Sequence, residues 1–236
     1  MTEEGYSLAD YTKAIDFYEQ ALSIAKKINN INREGAFLNS LGNAYYSLAD
    51  YTKAIDFYDQ ALNIAEKMND IDKIGLCLNN LGSVYNAIGN YQQAINSLEQ
   101  SLKIQREIGN RYVEHLSLRN LGISYRSIGD YEKATNYLQQ SLKISKQVKD
   151  LHSQASVLNS LGEIYNITGE YGKAIDYRQQ SLKIQRKIGD RYGEGLSLMN
   201  MGNIKSNLQQ ISESKIAYAN ASKIYQEIGL NNKVEE

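Results

Sequence analysis

Apolar positions in this chain fall at helical spacing, first in one half of a 40-residue frame and then in the other. In residues 31–70, Leu38, Leu41, Tyr45 and Leu48 recur at i, i+3, i+7 and i+10, which is one face of a helix. The second half carries a broader stripe of Tyr51, Ala54, Ile55, Tyr58, Ala61, Leu62 and Ala65. Lys53, Asp56, Gln60, Asn63 and Lys67 fall on the opposite side. Ala49-Asp50 marks the break between the halves, and the same place reads Gly89-Asn90, Gly129-Asp130 and Gly169-Glu170. Glycine suits the left-handed residue that ends a helix, and Asn or Asp suits the N-cap of the next. The frame therefore predicts a helical hairpin. Hairpins join through similar pairs at Asn69-Asp70, Gly109-Asn110, Lys149-Asp150 and Gly189-Asp190.

The hairpin repeats without slippage. Leu41-Gly42-Asn43-Ala44-Tyr45 returns as Leu81-Gly82-Ser83-Val84-Tyr85, Leu121-Gly122-Ile123-Ser124-Tyr125 and Leu161-Gly162-Glu163-Ile164-Tyr165, with an eroded copy at Met201-Gly202-Asn203-Ile204-Lys205. A fixed period of this size signals a stacked array in which each unit touches its neighbours. Residues 1–236 are expected to form one solenoid, with units at about 1–30 (truncated), 31–70, 71–110, 111–150, 151–190 and 191–230 (degraded). In the last unit Lys205 replaces the core Tyr, Ser214 the Ala, Lys215 the Ile and Ser222 the Leu. At the other end, residues 6–18 match 46–58 letter for letter, yet only Tyr6-Ser7-Leu8 remains of the leading unit's first helix. Its second helix carries the full stripe Tyr11, Ala14, Ile15, Tyr18, Ala21, Leu22 and Ala25 with one flank uncovered. Exposed apolar patches mark contact sites, so this edge is expected to pair with another copy or to continue a longer array. Gly229-Leu230-Asn231-Asn232-Lys233 reads as the start of a further unit.

The spacing of Leu78, Leu81-Gly82, Tyr85, Gly89-Asn90-Tyr91 and Ala94 resembles the tetratricopeptide repeat, with Leu98 and Ser101 in place of that family's later aromatic and Ala. The resemblance covers about the whole chain. Its departures are a unit of 40 residues rather than the usual ~34 and the loss of the late proline. The longer unit with Leu-Gly-Asn is similar to the subgroup found in spindle-orientation adaptors, kinesin light chains and bacterial signalling proteins. The resemblance implies an all-α fold, about eleven helices in a right-handed solenoid of antiparallel pairs. It also implies a non-enzymatic scaffold whose first helices line a concave groove that binds an extended segment of a partner protein. The alternatives are a self-assembling structural element and the sensing part of a larger signalling protein.

Composition narrows the partners. Lys plus Arg (26) nearly cancel Asp plus Glu (27), which argues against nucleic acid, whose phosphates need a basic footprint. No stretch approaches ~20 consecutive apolar residues and no apolar leader is present, so no membrane contact is expected. The one cysteine, Cys77, fits a reducing compartment, and the chain reads as cytoplasmic. Proline is absent, so helices can run unkinked.

On the groove side, reading i, i+4 and i+7 from the position after Leu38 gives Asn39, Asn43 and Tyr46, then Asn79, Ser83 and Asn86. The series continues with Arg119, Ile123 and Arg126, then Asn159, Glu163 and Asn166, then Met199, Asn203 and Ser206. Carboxamides both donate and accept, so a column of them one repeat apart can pair with the backbone of an extended peptide; the alternative is a solvated helix face. Asn→Ala at Asn39, Asn79 and Asn159 is then expected to leave the thermal transition almost unmoved. Arg119 and Arg126, two turns apart, form a pair that could grip a carboxylate or phosphate, or be met by Glu163. The lysine that a C-terminal-carboxylate clamp of this family uses is replaced by Asn39, Asn79 and Asn159. His115 and His152 lack metal-ligand spacing, and Cys77 beside Leu78 reads as a buried inert thiol. No catalytic residues, cofactor or metal are expected.

Overall fold

The structure, a computed structural model, describes residues 8–230. Among them are eleven α-helices and no strand: α1 Leu8–Lys27, α2 Ile31–Ser47, α3 Tyr51–Lys67, α4 Ile71–Ala87, α5 Tyr91–Ile108, α6 Arg111–Ser127, α7 Tyr131–Gln147, α8 Leu151–Ile167, α9 Tyr171–Ile188, α10 Arg191–Asn207 and α11 Ile211–Glu227. None is long and apolar enough to cross a membrane.

The predicted punctuation is what separates them. The side chains of Asn30, Asp50, Asp70, Asn90, Asn110, Asp150 and Asp190 each accept from the backbone N–H three residues on. That bond satisfies one of the donors a helix start leaves open. Before each cap stands a left-handed residue. At the end of α2, Asp50 N–H donates to Tyr45 O and Ala49 N–H to Tyr46 O, both at 2.9 Å, the paired bonds of a Schellman closure. Gly89 fills the same role without strain at φ 79°, whereas Ala49 is held there at φ 57°.

The helices group into two compact units, Met1–Asp130 and Tyr131–Glu236. In the first, each of α1 to α6 packs on the next, and α2, α4 and α6 also meet in turn. In the second, α7 to α11 pack successively. Leu38, Leu41, Ala54, Leu81, Val84, Ala94 and Leu98 are buried in the first core, and Ala174, Leu182, Leu198, Ile204, Ala217 and Tyr225 in the second. Glycine sets the spacing within hairpins. A Cβ on Gly42 would lie 2.5 Å from Tyr58 Cε1, and one on Gly82 would lie 2.5 Å from Leu98 Cγ.

The last unit is the expected hairpin, and the leading helix is where the structure departs from expectation. The last hairpin, α10 with α11, forms fully despite its polar substitutions: Ser214 is buried and donates to Gly202 O at 3.0 Å, and Lys205 pairs with Glu213. On α1 the predicted stripe is largely covered, with Ile15, Leu22 and Ala25 buried against the core that includes Leu38 and Leu41. The exposed apolar groups are Phe17 and Ile24, one face over. The stub Tyr6-Ser7 and the would-be next unit from Asn231 onward lie outside the described residues.

Candidate functional site

The first helices of the hairpins (α2, α4, α6, α8 and α10) carry every position of the predicted binding column. In the first unit that column is tied into a network spanning α2, α4 and α6. Asn39 Oδ1 accepts from Asn80 Nδ2 at 2.9 Å. Asn79 is only 4% exposed, and its Oδ1 accepts from Ser117 Oγ at 3.2 Å and Asn120 Nδ2 at 3.3 Å. Asn120 Nδ2 also donates to Ser83 Oγ at 2.7 Å. Asn86 Nδ2 donates to Asn120 O at 3.0 Å, while its Oδ1 accepts from Ser124 Oγ at 2.7 Å. The carboxamides thus join neighbouring first helices, and packing does account for these asparagines in a helix. Asn79 is a buried member of the network, set back from the surface.

Other members stand further out. Asn43 is exposed and accepts from the Tyr58 hydroxyl at 2.6 Å. Burial pushes the Tyr58 hydroxyl's pKa upward, so it keeps its proton and remains a donor. Tyr46 is exposed, its ring 5.8 Å from that of Tyr51. Arg119 and Arg126 are half-buried on one face of α6, and the Arg119 guanidinium reaches Asn120 Oδ1 at 3.5 Å. The Arg119 head therefore sits beside a carboxamide already fixed by the network.

In the second unit, Asn159 Oδ1 accepts from Arg178 Nη1 and from Ser197 Oγ, each at 3.2 Å. Glu163 is half-buried. Asn166 is half-buried too, and its Oδ1 has no hydrogen-bond partner. Asn203 is exposed and accepts from the Tyr218 hydroxyl at 2.7 Å, repeating the Asn43–Tyr58 pair.

Sequence reading missed the residues that complete the network: Asn80, Ser117, Asn120 and Ser124 in the first unit, and Arg178 and Ser197 in the second. Arg178 is the least anticipated. It is 6% exposed at the place held by Tyr58 in α3 and Leu98 in α5, packed on Gly162 with its Cγ 3.2 Å from where a Cβ would stand. The signal was available as a charged residue at an otherwise apolar repeat position. Two of the remaining reactive groups, Cys77 and His115, are enclosed, while His152 is exposed. Cys77 is buried and its pKa is pushed up to about 12 by desolvation, and His115 is buried with its ring edge-on to Tyr112 at 5.3 Å. Among the described residues no three His, Cys, Asp or Glu side chains gather as a metal site.

The Tetratricopeptide repeat family profile matches residues 6–67, 75–147 and 153–227. No curated protein sequence matches the chain. Among solved structures, BtubC (BKLC) from P. vanneervenii aligns with a TM-score of 0.80 at 20% identity, covering 93% of this chain and 92% of that one. A Rap protein complexed with Competence and Sporulation Factor aligns at 0.73 and 17% identity, over 96% of this chain and 68% of that one. A Podosopora anserina protein described as a kinesin light chain with nearly identical TPR-like repeats aligns at 0.66 and 19% identity, over 81% and 94%. At these identities the likeness is one of fold.

Proposed function

The chain belongs to the tetratricopeptide-repeat family, and we propose that it is a protein-interaction scaffold without catalysis of its own, binding an extended peptide segment of a partner along its first helices. The observation that carries the reading is the face of α6, where Arg119 and Arg126 are half-buried two turns apart and Arg119 reaches Asn120, a carboxamide held by interhelix bonds. Fixed donors and acceptors lose little entropy on binding, and two guanidiniums on one helix face suit an acidic group, which they can grip bidentately. Asn39, Asn43, Tyr46 and Asn86 extend the same face in the first unit, with Asn79 holding it from behind. In the second unit, taken by itself, Asn159, Glu163, Asn166 and Asn203 line the first helices. The complex of a Rap protein with Competence and Sporulation Factor, on a similar fold, supports the reading.

The test is capture of partners from lysate by wild type and by an Arg119→Glu, Arg126→Glu variant, followed by calorimetry on each captured protein. Arg119→Glu should weaken binding more at low salt than at high salt, because an exposed charged contact is screened. Arg119→Lys should weaken it too, since a planar fork is being used. Partners captured equally by both proteins, with equal affinity, would sink the proposal.

A further inference from the structure

α1 and α3 are near copies of one another. YTKAIDFYEQALSIAKK (11–27) and YTKAIDFYDQALNIAEK (51–67) differ only at Glu19/Asp59, Ser23/Asn63 and Lys26/Glu66. On α3 this sequence clamps a tyrosine. The Phe57 ring stacks on Tyr45 of α2, with centroids 5.4 Å apart and planes 7° apart. Lys53 Nζ lies 4.7 Å from the centre of the same ring. Along the helix, Ile64 Cγ2 would be 3.1 Å from a Cβ built on Gly35 of α2, tighter than ordinary contact, so glycine suits this approach and a larger side chain would press on Ile64. The clamp recurs in the second unit, where Tyr165 stacks on Tyr177 at 5.3 Å and 2° and Lys173 Nζ sits 4.9 Å from the Tyr165 ring.

α1 carries the same two jaws, Lys13 and Phe17, and the same isoleucine, Ile24. Here they stand exposed: Phe17 is 70% and Ile24 is 58% accessible, while Phe57 and Ile64 are half-buried. The residue at the clamped position, 40 before Tyr45, is Gly5, which brings no ring. We propose that the Lys13–Phe17–Ile24 face of α1 is a docking site for a helix of another polypeptide. That helix would place a Tyr or Phe ring between Lys13 and Phe17 and, ten residues earlier, a glycine against Ile24. The ligand chemistry is read from α2, which offers Gly35 and Tyr45 to the identical face of α3. A second copy of the chain fits less well. α1 set against α1 would oppose Ile24 and Phe17 to the same side chains, with no glycine to permit the close approach. The face is separate from the α6 arginines, so the two proposals stand independently.

The probe is a labelled synthetic peptide with the sequence of residues 31–50, titrated against the full chain by fluorescence anisotropy. Saturable binding is expected, weakened about tenfold or more by Phe17→Ala and severalfold by Lys13→Gln. Alanine at the peptide's Tyr45 position should weaken it similarly, and leucine at its Gly35 position should abolish it. Phe17 is exposed, so Phe17→Ala should keep the wild-type thermal transition, and Arg119→Glu should leave peptide binding unchanged. Absence of binding up to millimolar peptide would overturn the proposal, as would equal binding to Phe17→Ala, which would mean that the peptide displaces α2 from α3. Sedimentation equilibrium supplies the last outcome: a dimer abolished by Phe17→Ala would assign the face to a second copy instead.

Discussion

Asn79→Ala should destabilise the protein by about 2 kcal/mol. The carboxamide is 4% exposed and accepts from Ser117 Oγ at 3.2 Å and Asn120 Nδ2 at 3.3 Å. Two buried hydrogen bonds contribute roughly 1–3 kcal/mol between them. Ser117 Oγ keeps Ser101 Oγ at 3.0 Å and Asn120 Nδ2 keeps Ser83 Oγ at 2.7 Å, so a single N–H of Asn120 is left without its acceptor. The desolvation penalty is therefore confined to that one group. Alanine is the better helix former by about half a kcal/mol, which offsets the small packing loss. Asn43→Ala is the internal control. That residue is exposed and makes one bond, from the Tyr58 hydroxyl; at the surface water can replace its Oδ1 as the acceptor, so its loss should fall between zero and about 0.5 kcal/mol. Urea unfolding followed by circular dichroism compares the midpoints. If Asn79→Ala shifts the midpoint no further than Asn43→Ala, the interhelix network contributes nothing and the asparagines are merely a solvated face.

Three further outcomes follow from the same geometry. Ala49→Gly and Lys149→Gly should each stabilise by about 0.5–1 kcal/mol, since φ values of 57° and 60° strain a Cβ; an unchanged urea midpoint in both would refute this. Asn86→Ala should cost about 1–2 kcal/mol, because it breaks bonds to Asn120 O and Ser124 Oγ. Asn166→Ala, whose Oδ1 has no hydrogen-bond partner, should change stability far less; equal losses in the two variants would contradict the bonding pattern. Burial raises Cys77 from 9.0 to about 12 and raises Tyr58 as well. Both are neutral when native, so their contribution is intact below about pH 9 and is lost as pH rises toward 12. Stability should decline across that window, with Cys77 resisting alkylation at pH 8 until the protein unfolds; rapid labelling of native protein would show the thiol is open.

The helices, their caps and their pairing were legible because period, capping residue and close-approach glycine are all local signals, readable at Asp50, Gly89 and Gly42 alike. Orientation within a half-buried face was not. Asn43 on α2 and Asn79 on α4 belong to one predicted column, yet one is exposed and the other buried, because α6 lies over α4 and supplies Ser117 and Asn120 from about 40 residues away. A face read at helical spacing says which side chains are neighbours on one helix; it is silent on how far the next helix overlaps them. The same limit gave the stripe of α1 from Tyr11 to Ala25 an uncovered flank, whereas the exposed groups are Phe17 and Ile24. The stacked Tyr45–Phe57 pair shows why, since the hairpin partner covers α3 through that ring, and the residue 40 before Tyr45 in the sequence is Gly5, which has none.

A second period, twice the first, decides which members of the column are spent internally. SLKIQREIGNRYVEHLSLRNLG (101–122) returns as SLKIQRKIGDRYGEGLSLMNMG (181–202), and the bonding returns with it. Ser101 Oγ donates to Gly75 O at 2.7 Å and Ser181 Oγ to Ala155 O at 2.9 Å. Glu114 is gripped by Arg106 and Arg111, and Glu194 by Arg186 and Arg191. Ser117 reaches Asn79 and Ser197 reaches Asn159, both at 3.2 Å. In the alternate repeat the serine position is Cys77, which is buried and apolar, and Asn39 accepts from Asn80 instead. Serine at every second repeat therefore draws Asn79 and Asn159 into the fold. Substitution of Asn79 or Asn159 should accordingly cost stability through the lost serine bond, a loss that substitution of Asn39, bonded to Asn80 instead, does not incur.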